Sequence, residues 1–189
     1  PVAISPWRRR FELARLVVAN EGLLERRLDA AAALELADAL AQFLDSCQIE
    51  EVGDAEAVRG LAGDDLFLAQ HWKLTAQFLD IALGAWPKRL AELGLADVAA
   101  RRVALLRRLG ERWRERPPHE VLVAAGSTGT APAAADLLAA VAGAPRGAVV
   151  LPGLDQALAQ SAWEAVGEQH PQGSMRRLLQ RAGIERDGV

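Results

Sequence analysis

Five consecutive residues, Gly126, Ser127, Thr128, Gly129 and Thr130, have the types that bind phosphate. Glycines let the backbone curl until its N–H groups face an anion, and a following helix N-terminus adds its own. The loop comes after a short apolar run, residues 121–125, and before an apolar stretch, residues 131–142, so a strand should feed a helix there. What would turn phosphate binding into hydrolysis is missing. A P-loop needs a lysine and a Mg²⁺-binding hydroxyl after its glycines, and the chain has no GK[ST] run. A flavodoxin-type loop reads roughly S/T-x-T-G-x-T, and Ser127-Thr128-Gly129-Thr130 is too compressed to match it. The feeding strand ends in Ala124 and Ala125, where nucleotide hydrolysis requires a carboxylate. A phosphate could visit this loop, but nothing in it would cleave one.

Other reactive types are sparse. The single cysteine, Cys47, sits among apolar helix residues and reads as a small core residue. His71 falls on an apolar stripe and reads as a core or interface histidine. With no second His or Cys at ligand spacing, zinc has no support. Two arginine groups remain. Arg101, Arg108 and Arg112 share one face of an expected helix, and Arg8, Arg9 and Arg10 are consecutive. Each group fits contacts to phosphates, and each fits a solvated face. Trp7, Trp72, Trp86, Trp113 and Trp163 could offer base stacking, although Trp113 lies on an apolar stripe and most of them read as core.

Charge is unevenly spread. Net charge is −3, yet residues 29–65 hold ten acidic side chains against Arg59 alone, and residues 101–116 hold seven arginines against Glu111 and Glu115. Such polarity suits one face for an anion and another for a cationic partner, or two solvated faces. Arginine outnumbers lysine 20 to 2, a bias that a GC-rich genome explains. Half of the residues are hydrophobic, as in a globular chain, and no apolar stretch approaches the roughly 18–20 residues that span a bilayer. No basic segment with an apolar run opens the chain, so the expected setting is cytoplasmic.

The elements that must position these residues follow from periodicity. Helices are expected over residues 6–20, with Phe11, Leu13, Leu16 and Val17 inward, and over residues 29–47, with Leu36, Leu40, Phe43, Leu44 and Cys47 inward. Residues 53–65 read as a polar connection. Asp64 and Asp65 are cap candidates for a helix over 66–84 with Phe67, His71, Leu74, Phe78 and Ile81 inward. Shorter and longer helices follow over 88–93 and 97–116, the latter with Leu106, Leu109 and Trp113 on one face. After Pro117-Pro118 the texture changes to a buried strand over 121–125, a helix over 131–142 and a second strand over 148–151, a βαβ unit and hence a parallel pair. A tail helix should turn Met175, Leu178 and Leu179 inward and Arg176, Arg177 and Arg181 outward. Two strands are too few for a stable parallel sheet, and the chain opens on Pro1, so the sequence is expected to be a fragment of a longer protein.

The stretch VLVAAGSTGTAPAAADLLAAVAGAPRGAVVLPGLDQAL, followed by WEAVGEQHPQGSMRRLLQRAGI, resembles the AddB subunit of bacterial AddAB helicase–nucleases, particularly the alphaproteobacterial type. The resemblance is strong over residues 121–184 and weaker through the helical block, where PWRRRFELARLV is similar to the family's counterpart. It implies a mainly α chain with a partial α/β unit: a degenerate superfamily 1 helicase core (1A-like) with a helical 1B-like insertion. Residues 1–19 and 118–189 would then belong to the core and 20–117 to the insertion. Placed on an active relative, Ala124 and Ala125 stand where the metal-binding aspartate and water-orienting glutamate would be, and Leu151-Pro152 stands near the Gly-Asp that ends the second strand. The resemblance implies no catalysis and no cofactor in this fragment. Its implied partners are the AddA subunit and single-stranded or forked DNA, with no membrane, in a helicase/exonuclease complex of double-strand-break repair and recombination at the nucleoid. The family's nuclease domain and iron–sulfur cysteines lie outside this sequence. Two other readings stay open: a flavodoxin-like or phosphate-binding domain using residues 126–130, and a protein–protein module docking through its acidic helices.

Overall fold

Ser5 begins the first helix, α1 (Pro6–Ala19): its Oγ accepts from the Arg8 N–H at 3.4 Å, and Pro6 lies in the first turn, where a missing N–H costs nothing. Asp29 does the same for α2 (Ala30–Ile49), accepting from the Ala32 N–H at 2.8 Å. A computed structural model describes residues 1–20, 28–52, 81–167 and 169–189. These fall into two compact units, Pro1–Arg101 and Arg102–Val189.

In the first unit α1 packs on α2. Leu13 and Val17 meet Ala37, Leu40 and Leu44, and the small Ala33 and Ala37 let the helices approach closely. A π-helical segment, Ile81–Ala85, leads into α3 (Trp86–Leu93), whose Trp86 is buried in the same core. Gly94, at φ 66°, ends α3 in the left-handed conformation that glycine adopts without penalty. The chain then pairs β2 (Leu95–Ala96) with β1 (Val2–Ala3) in parallel, and the Ile4 N–H donates to the Ala96 carbonyl at 2.9 Å. Helix α4 (Val98–Glu115) starts here and continues in the second unit.

The expected stripes shift in two places. Phe11, expected inward, is 54% exposed, because Arg9, Glu12, Leu13 and Val17 face the core instead. On α2 the most buried positions are Ala33, Ala37, Leu40 and Leu44, while Leu36, Phe43 and Cys47 flank them half-buried. On α2 close packing selects the small and the centrally placed side chains over the largest ones. Of the helix expected over 66–84, only residues 81–84 are among those described. Asp64, Asp65, Phe67, His71, Trp72, Leu74 and Phe78 lie outside them, as does the connection over 53–65.

The second unit holds the expected βαβ. Strands β3 (Leu122–Ala125) and β4 (Gly147–Val150) pair in parallel in the register Leu122↔Gly147 to Ala125↔Val150, joined through α5 (Pro132–Ala142). Ala135 and Leu138 of α5 and Leu178 of α7 (Gly173–Ala182) cover the face that presents Ala124 and Val149. The opposite face is open. Val123 is 64% and Val150 55% exposed, so the strand expected to be buried is half-buried by alternation. Gly147 starts β4 where a Cβ would run into the Val141 carbonyl, so only glycine fits there. Beyond β4, Trp163 of α6 (Gln160–Glu164) packs with Val166 and Leu179, and the Arg186 guanidinium lies over the indole, 5.2 Å from its centroid. Among the described residues no helix is long and apolar enough to cross a membrane.

Candidate functional site

The loop after β3 is a closed turn. Gly126 (φ 79°) and Gly129 (φ 62°) both take the left-handed conformation, and the Gly126 N–H extends the ladder by donating to the Val150 carbonyl at 3.3 Å. The Gly129 N–H donates to Ser127 Oγ at 3.3 Å, and Gly129 itself is buried, where a Cβ would press at 3.3 Å on the side-chain ends of Leu138 and Leu178. Helix α5 begins without a side-chain cap, and Pro132 in its first turn has no N–H to give. Three donors that an anion would draw on are therefore absent or already bonded. Ala124 turns toward α5 and α7, and Ala125 toward the open face. The one acidic residue of α5, Asp136, is occupied: its carboxylate pairs with Arg107 and with Arg181, and its carbonyl accepts from Arg114 at 2.9 Å. Among the described residues no group of His, Cys, Asp and Glu gathers as a metal site would.

The loop after β4 is fastened by the His-Pro-Gln-Gly turn. The Gln172 amide donates to the Gly153 carbonyl at 2.9 Å and accepts from the Asp155 N–H at 3.0 Å, while His170 Nδ1 accepts from the Gln172 N–H at 3.1 Å. These side chains brace the carboxyl end of the strand pair.

The arginines separate into paired and unpaired groups. On α4, Arg101, Arg108 and Arg112 are all exposed and make no ion pair among the described residues. Arg107 and Arg114, on the other side, bind Asp136. Leu106, Leu109 and Trp113 are half-buried, as their spacing predicts. Of the consecutive trio, Arg9 is 8% exposed and locked in the core, so it has no surface for a phosphate. Arg10 is bound in a two-pronged pair to Asp38 at 2.8 and 2.7 Å. Arg8 is exposed.

Around Arg9 lies a buried polar centre that sequence reasoning missed. Its guanidinium contacts Asp45 at 2.8 Å and Asp97 at 3.2 Å, and its Nε lies 3.1 Å from Asp97 Oδ1, close as charges but not aligned as a hydrogen bond. Asp97, 2% exposed, also accepts from the Trp86 indole N–H at 2.6 Å and the Val98 N–H at 2.6 Å. Beside it Arg89 grips Glu12 at 2.9 and 3.3 Å. Those hydrogen bonds, aided by the charges of Arg89, Arg15 and Arg8, hold the Glu12 carboxyl below its ordinary range against the opposing effect of burial. Asp97 was legible as a helix start. Its partner, 88 residues away, carries no local signal.

No family model matches the chain, and neither the curated proteins nor the solved structures contain a match to it.

Proposed function

We propose that the chain is a catalytically inactive part of the helicase-like core of an AddB-type subunit, with its helical insertion, guiding DNA and supporting assembly with an AddA subunit in double-strand-break repair. The observation that carries this reading is the end of β3. Ala124 and Ala125 stand at the carboxyl end of a parallel strand, where α/β proteins place their ligand chemistry, and the loop beyond closes on itself through Ser127 and Gly129. Two methyl groups can neither hold a metal on a phosphate nor orient water. In this reading residues 1–19 and 118–189 are core, 20–117 are insertion, and the protein works in the cytoplasm at the nucleoid. Arg108 and Arg112, one turn apart and exposed on α4, are the DNA contacts of the second unit.

The test is fluorescence anisotropy of a labelled forked duplex across a salt series. Binding should weaken steeply with salt, and Arg108→Ala with Arg112→Ala should reduce the salt slope by about 1–2. The chain should turn over no ATP. Mg²⁺-dependent hydrolysis lost in a Gly126 or Thr130 variant would sink the reading, and tight flavin mononucleotide binding would favour a flavodoxin-like domain instead. Asp38 and Asp45, already paired with Arg10 and Arg9, are two acidic groups fewer for a protein-docking module.

A further inference from the structure

We propose that Trp7 and Phe11, flanked by Arg8 and Arg15, form a stacking site on α1 for the bases of single-stranded DNA. The proposal rests on the DNA-guiding reading above and deepens it by naming the form of DNA and the groups that hold it.

Trp7 is 70% and Phe11 54% exposed, although each would stabilise the fold if buried. They stand four residues apart, so their Cβ atoms are about 5–6 Å apart on one helix face. At about 100° per residue, Arg8 and Arg15 fall in the same sector, and both are exposed. Neither makes an ion pair among the described residues. Among the described residues, three acidic groups that pack against α1 or lie on it are already paired: Glu12 with Arg89, Asp38 with Arg10 and Asp45 with Arg9. Two rings and two guanidinium groups that make no ion pair among the described residues therefore face outward together, which suits an anionic strand with π-faced bases.

The platform is also held rigidly. The opposite side of α1 is pinned by Leu13 and Val17, essentially without exposure, and by the buried Arg9 contacts. Beside Phe11 and Arg15 a groove of about 510 Å³ runs between α1 and α2, floored by Ala14, Val18, Ala30 and Ala33. Its apolar floor gives a displaced base somewhere to lie. The other tryptophans with described positions differ: Trp86 and Trp163 are buried and Trp113 is half-buried.

The experiment uses the full chain and an oligothymidylate of about 16 nucleotides, at the upper end of the site sizes of such surfaces. Binding should quench tryptophan emission, and Trp7→Ala and Phe11→Ala should each weaken it by about fivefold or more. Trp7→Phe should keep most of the affinity while losing most of the quenching. Trp7→Leu, which keeps an apolar side chain without a π-face, should bind as weakly as Trp7→Ala. Unchanged thermal midpoints would show that these surface variants fold. Oligothymidylate affinity that survives in Trp7→Ala/Phe11→Ala, with forked-duplex binding lost in Arg108→Ala/Arg112→Ala, overturns the platform and leaves the DNA-guiding reading standing. Wild-type affinity in Trp7→Leu overturns the platform in favour of an apolar protein segment. Failure of the wild-type chain to bind either DNA at low salt overturns both.

Discussion

Asp97 does more than any other single residue described. It closes the charge of Arg9, receives the Trp86 indole and starts α4 through the Val98 N–H. Removing one partner of a buried pair leaves the other charged and unsolvated, so Asp97→Ala should cost about 3–5 kcal/mol, measured by urea unfolding. In an Arg9→Met background the same change should cost markedly less, because no guanidinium is then stranded. Glu12 acts by a different route. Its pKa is depressed in the folded chain, so its contribution is present above the ordinary glutamate value of about 4.3 and is lost as pH falls through the lower folded value. Melting temperatures of the wild type and Glu12→Gln should therefore differ at pH 7 and draw together as pH falls below the ordinary glutamate range. An Arg beside an apolar helix reads as surface in any single sequence. Only the fold reveals which of Arg8, Arg9 and Arg10 is buried, which is paired and which is exposed.

At the scale of elements, the chain was largely legible. The strands β3 and β4 and the helix between them lie within a residue or two of where apolar runs and prolines put them, because those elements answer to local patterning. Facing direction was less legible. On α1 Leu13 and Val17 turn inward as their spacing predicts, whereas Phe11 does not, and Arg9, Glu12 and Ala14 are buried in addition. Apolar periodicity cannot show that charged residues such as Arg9 and Glu12 are themselves inward. The turn into β4 provides a sharp test. Gly147→Ala puts a methyl group against the Val141 carbonyl, where backbone must move, and should destabilise the second unit by about 1–3 kcal/mol or more. Gly110→Ala makes only ordinary contacts, at 3.6 Å or longer, and should be tolerated or stabilise α4 by up to about 1 kcal/mol.

At the scale of the whole molecule, the two units differ in how they are held. The first has an apolar core with a charged centre inside it, and the second has a strand pair covered on one face. The uncovered face was the feature least legible beforehand, since β3 reads as an apolar run whether one face or both are packed. Val123→Thr and Val150→Thr keep the branched side chains that suit a strand, and should change stability by no more than about 0.5 kcal/mol each. A larger loss in chemical denaturation would show that this face is packed in solution. The site region was legible in its chemistry but not in its closure: the missing carboxylates can be read directly, whereas the Ser127–Gly129 bond and the bracing by Gln172 depend on how the loops are folded.

The tie between Arg9 and Asp97 also sets a clock. On a ribosome adding about 5–20 residues per second, the 88 residues between them take on the order of 4 to 18 s to appear. Once α2 has been made, α1 can meet it and Asp45, but until the interval ends β1 has no strand to pair with and the guanidinium lacks one of its two carboxylates. The first unit is thus unable to close until its last few residues have been made. A nascent chain arrested before Asp97 should remain open to protease at α1, and one arrested after α4 has left the exit tunnel should not.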